Sequence, residues 1–102
     1  MADADVLAMA AVIVEVEVTY DLAALCMASG ADAGQVRALV GEGLLPPTGQ
    51  EPDGWRFGGD ALPRARTALR LVRDLELELP AVALVMDLIA EIEHLRSLLR
   101  RR

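Results

Sequence analysis

Residues 21–43 are divided by two aspartates and two glycines, and this division constrains the fold more than any other feature. Asp21 is an N-cap residue for a helix in which Leu22, Leu25, Cys26 and Ser29 recur at the three-four spacing of one helical face. Gly30 ends it, because only glycine enters the left-handed region at little steric cost. Asp32 then caps a second helix with the apolar stripe Val36, Leu39 and Val40, closed at Gly43. Two short helices joined by a tight glycine turn form a helix-turn-helix.

The flanks extend this unit. Val12, Val14, Val16 and Val18 alternate with Ile13, Glu15 and Glu17, a period of two that predicts an edge strand over 12–18. Residues 1–11 are small and acidic, have no period and are expected to be a flexible N-terminus. After Leu44 and Leu45, the breakers Pro46, Pro47, Gly49, Pro52, Asp53 and Gly54 predict a loop. Asp53-Gly54 reads as a hairpin turn, and Trp55 and Phe57 as the returning strand of a wing anchored on the core. Asp60 is a cap for a third helix, with Leu62, Leu69, Val72 and Leu75 inward and Arg64, Arg66, Arg70 and Arg73 largely outward.

Proline suits the first turn of a helix and not its interior, so a break is expected near 77–79 and a fourth helix from Pro80. On it Ala81, Val85, Leu88, Ile92, Leu95 and Leu99 are spaced 4, 3, 4, 3, 4, the seam of a coiled coil. Val82, Leu84, Met86 and Ile89 widen the apolar surface of its first half, which predicts packing on the domain there. The narrow seam from Val85 to Leu99 (Val85, Leu88, Ile92, Leu95, Leu99) predicts a homodimer contact. The expected fold is mainly α: a winged helix-turn-helix over 12–79, with small β-strands and a wing, and a long C-terminal partner helix over 80–102.

With 102 residues the chain fits one core. The uncharged apolar stretch near the start, 6–14, is nine residues long, well short of the roughly 20 a spanning helix needs. Asp3 and Asp5 oppose a basic secretory leader, so a cytoplasmic protein is expected. Cys26 is the only cysteine, which excludes an internal disulfide and a cysteine-rich metal site. The one histidine, His94, lies in a distant helix, so no thiol–imidazole pair is expected, and one histidine is a poor metal site where three or four ligands are usual. Glu91 and Glu93 do not share a helix face, and Asp87 with Glu91 is a solvated pair. The arginines at 100–102 complement the negative end of the last helix. No catalytic constellation and no cofactor are expected.

The glycine turn, Glu42-Gly43-Leu44-Leu45-Pro46-Pro47, Gly54-Trp55-Arg56-Phe57 and Asp60-Ala61-Leu62 together resemble the MerR-like winged helix. A narrower resemblance, covering about 12–102, is to the chaperone-modulatory CbpM family. It is carried by Cys26 with Ser29-Gly30, by the 39–43 run LVGEG, by the 74–80 run DLELELP, by Leu88-Ile89 and by Glu93-His94-Leu95. That resemblance implies a module that binds the J-domain of CbpA, a DnaJ-like co-chaperone, and inhibits its work with a DnaK-type chaperone.

Charge placement weighs this reading against the alternative, a DNA-binding regulator of MerR type. Residues 1–62 hold ten acids and two bases, Arg37 and Arg56, a net −8, whereas 63–102 hold eight arginines and six acids, a net +2. Arg37 and Arg56 are the basic residues available to a DNA-reading helix and wing. Where the MerR pattern commonly continues with tyrosine and a further base, this chain has Ala38, Leu39 and Gly41. Phosphate neutralisation supplies most nonspecific DNA affinity, and exposed like charges repel over about 8 Å at physiological salt. An acidic module fits a basic protein face instead. The resemblance implies such a face on the J-domain, and the candidate contacts are Glu15, Glu17, Asp21, Ala24, Met27, Asp32 and Glu42.

Overall fold

A computed structural model describes residues 19–101, so the N-terminal segment 1–11 and the expected strand at 12–18 lie outside the described residues. Helix α1 (Leu22–Ser29) starts where extended Asp21 accepts the Ala24 N–H at 2.7 Å, and stops at Gly30, which has φ 79° and donates to the Cys26 carbonyl at 2.9 Å. Helix α2 (Ala33–Gly41) opens with a full capping box: Gln35 N–H donates to Asp32 Oδ1 at 2.8 Å, and Asp32 N–H donates to Gln35 Oε1 at 2.9 Å. It closes in a Schellman motif. Leu44 N–H reaches the Leu39 carbonyl and Gly43 N–H reaches that of Val40, with Gly43 at φ 76° and Leu39 and Leu44 both buried.

The expected wing is not a pair of strands. Among the described residues the pairing consists of two isolated antiparallel bridges, Tyr20 with Phe57 and Thr48 with Arg56, each made by reciprocal backbone hydrogen bonds of 2.8–3.1 Å. Three prolines at 46, 47 and 52 bring no N–H to a ladder. Asp53-Gly54, expected as a hairpin turn, lies in a 3-10 turn, Pro52–Gly54, with Gly54 N–H donating to the Glu51 carbonyl. Gly49, at φ 93°, admits the return of the chain, since a Cβ there would stand 2.7 Å from the Gly54 carbonyl oxygen. Trp55 and Phe57 do anchor this loop: both are buried and meet edge to face with centroids 5.9 Å apart.

Helix α3 (Ala61–Leu75) follows Asp60, but the Asp60 side chain makes no capping bond. Its backbone is already helical (φ −78°, ψ −10°) rather than extended as in a side-chain cap. The inward face also differs from expectation. Ala61, Ala65 and Ala68 are the buried residues, Leu62, Leu69 and Val72 pack half-buried beside them, and Leu75 is 62% exposed at the helix end. Of the arginines expected to face outward, Arg64 is half-buried and donates from Nε to the Leu44 carbonyl at 3.0 Å, and exposed Arg66 reaches the Ala28 carbonyl at 3.1 Å.

Glu76, in the left-handed region at φ 53°, ends α3. Helix α4 (Leu79–Arg100) begins one residue ahead of Pro80, which sits in its first turn as expected. Val82 and Met86 enter the same core as Leu25, Val36, Leu39, Leu45 and Phe57. Leu84, expected to help pack that half, is exposed, as is Ile89. With 22 residues at 1.5 Å rise, α4 is about 33 Å long, and its second half runs past the core.

The two glycines at the end of α2 give opposite expectations. Both have open space for a Cβ, so only backbone conformation differs. Gly43→Ala puts a side chain at φ 76° and is expected to destabilise by about 1 kcal/mol. Gly41→Ala, inside the helix, is expected to stabilise by about 0.5 kcal/mol. Urea unfolding midpoints read both signs.

Candidate partner-binding surface

Helix α1 has the composition Leu-Ala-Ala-Leu-Cys-Met-Ala-Ser, yet Leu25 is its single fully buried residue. A helix apolar all round is normally buried all round. Here the core takes one side, and Ala23, Ala24 and Met27 remain exposed, Met27 at 86%.

Beside that face runs a groove of about 560 Å³. Leu22, Ala23, Cys26 and Met27 form its α1 wall, Ala33 closes one end, and Pro52 and Asp53 of the 3-10 turn form the far wall. Asp21 lines it too, so this largely apolar slot carries two carboxylates, those of Asp21 and Asp53. Asp21 does two jobs: it holds the first turn of α1 by hydrogen bond and carries a charge at a fixed place.

The site residues expected from the sequence are therefore only partly brought together. Asp21 and Met27 line the groove. Exposed Ala24 lies on the same short helix but does not line it. Asp32 is one residue from Ala33 and close enough to Cys26 to act on its thiol. Glu42 is exposed at the opposite end of α2, ten residues from Asp32 and so about 15 Å away along the helix axis. Glu15 and Glu17 lie outside the described residues. Asp53 is the residue missed: it read as a turn former, and nothing local ties it to Asp21, which precedes it by 32 positions.

Burial pushes the Cys26 thiol up from its ordinary range, and the Asp32 carboxylate adds to the rise. The nucleophilic thiolate is thus disfavoured at neutral pH. Among the described residues no group of three or more His, Cys, Asp or Glu is placed to hold a metal, and no helix is long and apolar enough to cross a membrane. Arg37 and Arg56 are both exposed, and Arg56 donates from Nη1 to the Trp55 carbonyl at 3.0 Å. Along α4, Val85 is half-buried, while Leu88, Ile92, Leu95 and Leu99 are each about half exposed or more, at 54%, 49%, 50% and 64%.

Comparison with known proteins places this surface on a familiar scaffold. Residues 20–101 match the family described as MerR HTH family regulatory protein, which defines the class as a helix-turn-helix module. Within that class, similar proteins carry a more specific name. The chain is 38% identical over 80 residues to the chaperone modulatory protein CbpM of Pseudomonas putida strain W619, covering 78% of this chain and 79% of that one. It is 36% identical over 88 residues to the CbpM of P. putida strain GB-1, covering 83% and 87%. With the CbpM of Coxiella burnetii strain Dugway 5J108-111 it shares 40% identity over 62 residues, 61% of this chain and 58% of that one. The chain belongs to the CbpM family of chaperone modulatory proteins, built on the MerR-type helix-turn-helix.

The thiol gives a test of the electrostatics. Alkylation of Cys26 by iodoacetamide proceeds through the thiolate, so its rate is expected to rise at a higher pH than for an unhindered thiol. Asp32→Asn keeps the cap and removes the charge, and should move the profile to lower pH. It should not restore the ordinary thiol value, because burial is the larger cause. A profile unchanged by the substitution contradicts the Asp32 contribution.

Proposed function

We propose that the chain is a non-enzymatic, cytoplasmic chaperone modulator that binds the J-domain of a CbpA/DnaJ-like co-chaperone and blocks its access to the DnaK-type chaperone. The observation that carries this is the unpartnered apolar side of α1, with Met27 in solvent and Asp21 and Asp53 flanking the groove beside it. An apolar strip between carboxylates complements a basic amphipathic helix. The charges steer and orient the encounter, and the apolar contacts hold it. The names of the relatives support the modulator role. The charge of the whole chain, −6, supports a protein partner over DNA, since Arg37 and Arg56 alone face a polyanion from an acidic segment. Asp32, Ala24 and Glu42, with Glu15 and Glu17 ahead of them, extend the proposed acidic face.

Helix α4 is proposed to pair with its copy in a homodimer through Val85, Leu88, Ile92, Leu95 and Leu99. The heptad spacing and the exposure of the last four residues support it.

Binding of purified J-domain by titration calorimetry tests the first proposal. Met27→Asp is expected to weaken it at least about tenfold with an unchanged unfolding midpoint, because this side chain is exposed. Asp21→Asn, which retains a cap, together with Asp53→Asn should slow association and flatten its salt dependence. Unaltered affinity in both variants rejects this face.

For the dimer, sedimentation at micromolar concentration is expected to give two chains, and Ile92→Glu with Leu95→Glu to give one. A monomeric parent chain rejects the seam.

A further inference from the structure

Every one of the ten basic residues is arginine, and three of them gather on α3. Arg66, Arg70 and Arg73 stand at four- and three-residue intervals on α3 and line a groove of about 430 Å³, within the roughly 300–1,000 Å³ of ligand sites. Its opposite wall is the helix-turn-helix turn itself, Ser29-Gly30, with Gln35 of α2. No carboxylate among the described residues lines this groove. It shares no residue with the acidic groove beside α1.

The groove is walled by donors. Arg66 is held in place by the Ala28 carbonyl, which occupies Nη2 and leaves most of its five N–H donors for a ligand. The Gln35 carbonyl oxygen is committed to the Asp32 N–H, and this fixes which end of the amide carries the two donors. Arg73 meets Asp74 at 3.1 Å, the one ion pair among the described residues, and both side chains are more than half exposed, so that pair is weak and readily exchanged. Half-buried Leu69 and Val72 give the groove an apolar floor.

We infer that this arginine groove is a second interaction surface, which takes an extended, acidic segment of a partner protein, with carboxylates at alternate positions. Arginine forks bind carboxylates in bidentate fashion. Arg66 and Arg70 are about 6 Å apart along the helix axis, close to the roughly 6.6 Å between alternate side chains of an extended chain. A nucleic acid offers similar anions, but a groove of about 430 Å³ admits a slender peptide better than a duplex. The inference does not rest on the J-domain reading, and the probe below contains no J-domain.

The test is fluorescence anisotropy of a labelled peptide containing Glu-Ala-Glu-Ala-Glu, at low salt, against the full chain. Binding is expected, with loss for the Gln-substituted peptide. At least about tenfold weakening is expected for the Arg70→Glu, Arg73→Glu variant, whose circular dichroism and unfolding midpoint should match the parent because neither side chain holds the backbone. Arg70→Lys should fall between, since lysine keeps the charge and lacks the fork. Absence of peptide binding, equal binding by the charge-reversed variant, or tighter and equally Arg70/Arg73-dependent binding of a charge-matched DNA duplex overturns the inference.

Discussion

Close approach to the alanine face of α3 is the interaction on which the rest of the molecule depends. Interaxial distances of packed helices follow the side chains between them, and Ala61, Ala65 and Ala68 allow the short end of that range. Helix α3 consequently touches each of the other three helices. Its arginines complete the same contacts in polar form. Arg64 and Arg66 donate to the Leu44 and Ala28 carbonyls, which lie just past α2 and at the end of α1, where helix carbonyls lack intrahelical partners. One helix thus supplies both the small residues that admit its neighbours and the charged residues that fasten their ends.

That economy leaves surplus on the outside. With Leu25 as its one fully buried residue and Leu22 and Cys26 half-buried against the core, α1 leaves Ala23, Ala24 and Met27 facing water. The caps then decide where charge sits around them: Asp21 and Asp32 are fixed by hydrogen bonds at helix starts, and Asp53 arrives from the 3-10 turn. On α3 three of the exposed residues are arginines, Arg66, Arg70 and Arg73. The two signs are therefore sorted by which helix face the core consumes, and the proposed functions follow from that sorting.

The proposed partner surface was legible in parts. Asp21 and Met27 are visible in the sequence because one starts a helix and the other falls off its apolar stripe. Asp53 is not, because its partners are set by the closure of a loop over more than thirty residues. Glu42 and Asp32 stand at opposite ends of α2, so the length of that helix spreads the proposed acidic face. The arginine groove was half visible: the spacing of Arg66, Arg70 and Arg73 is local, whereas the turn and Gln35 that make it a groove come from elsewhere in the chain.

Local chemistry fixed the helix-turn-helix in advance. The Asp caps, the left-handed glycines at 30 and 43 and the first-turn proline at 80 act within a few residues of themselves, so each helix boundary among 21–45 and the start of α4 to within one residue could be read directly. The wing could not: breakers mark a loop but do not say whether its arms pair as strands or, as here, meet at single bridges. Nor could the inward face of α3, where the leucine stripe outweighs alanine in hydrophobicity. Alanine prevails because close helix approach rewards small side chains, and how closely helices approach is settled only when the whole chain is packed.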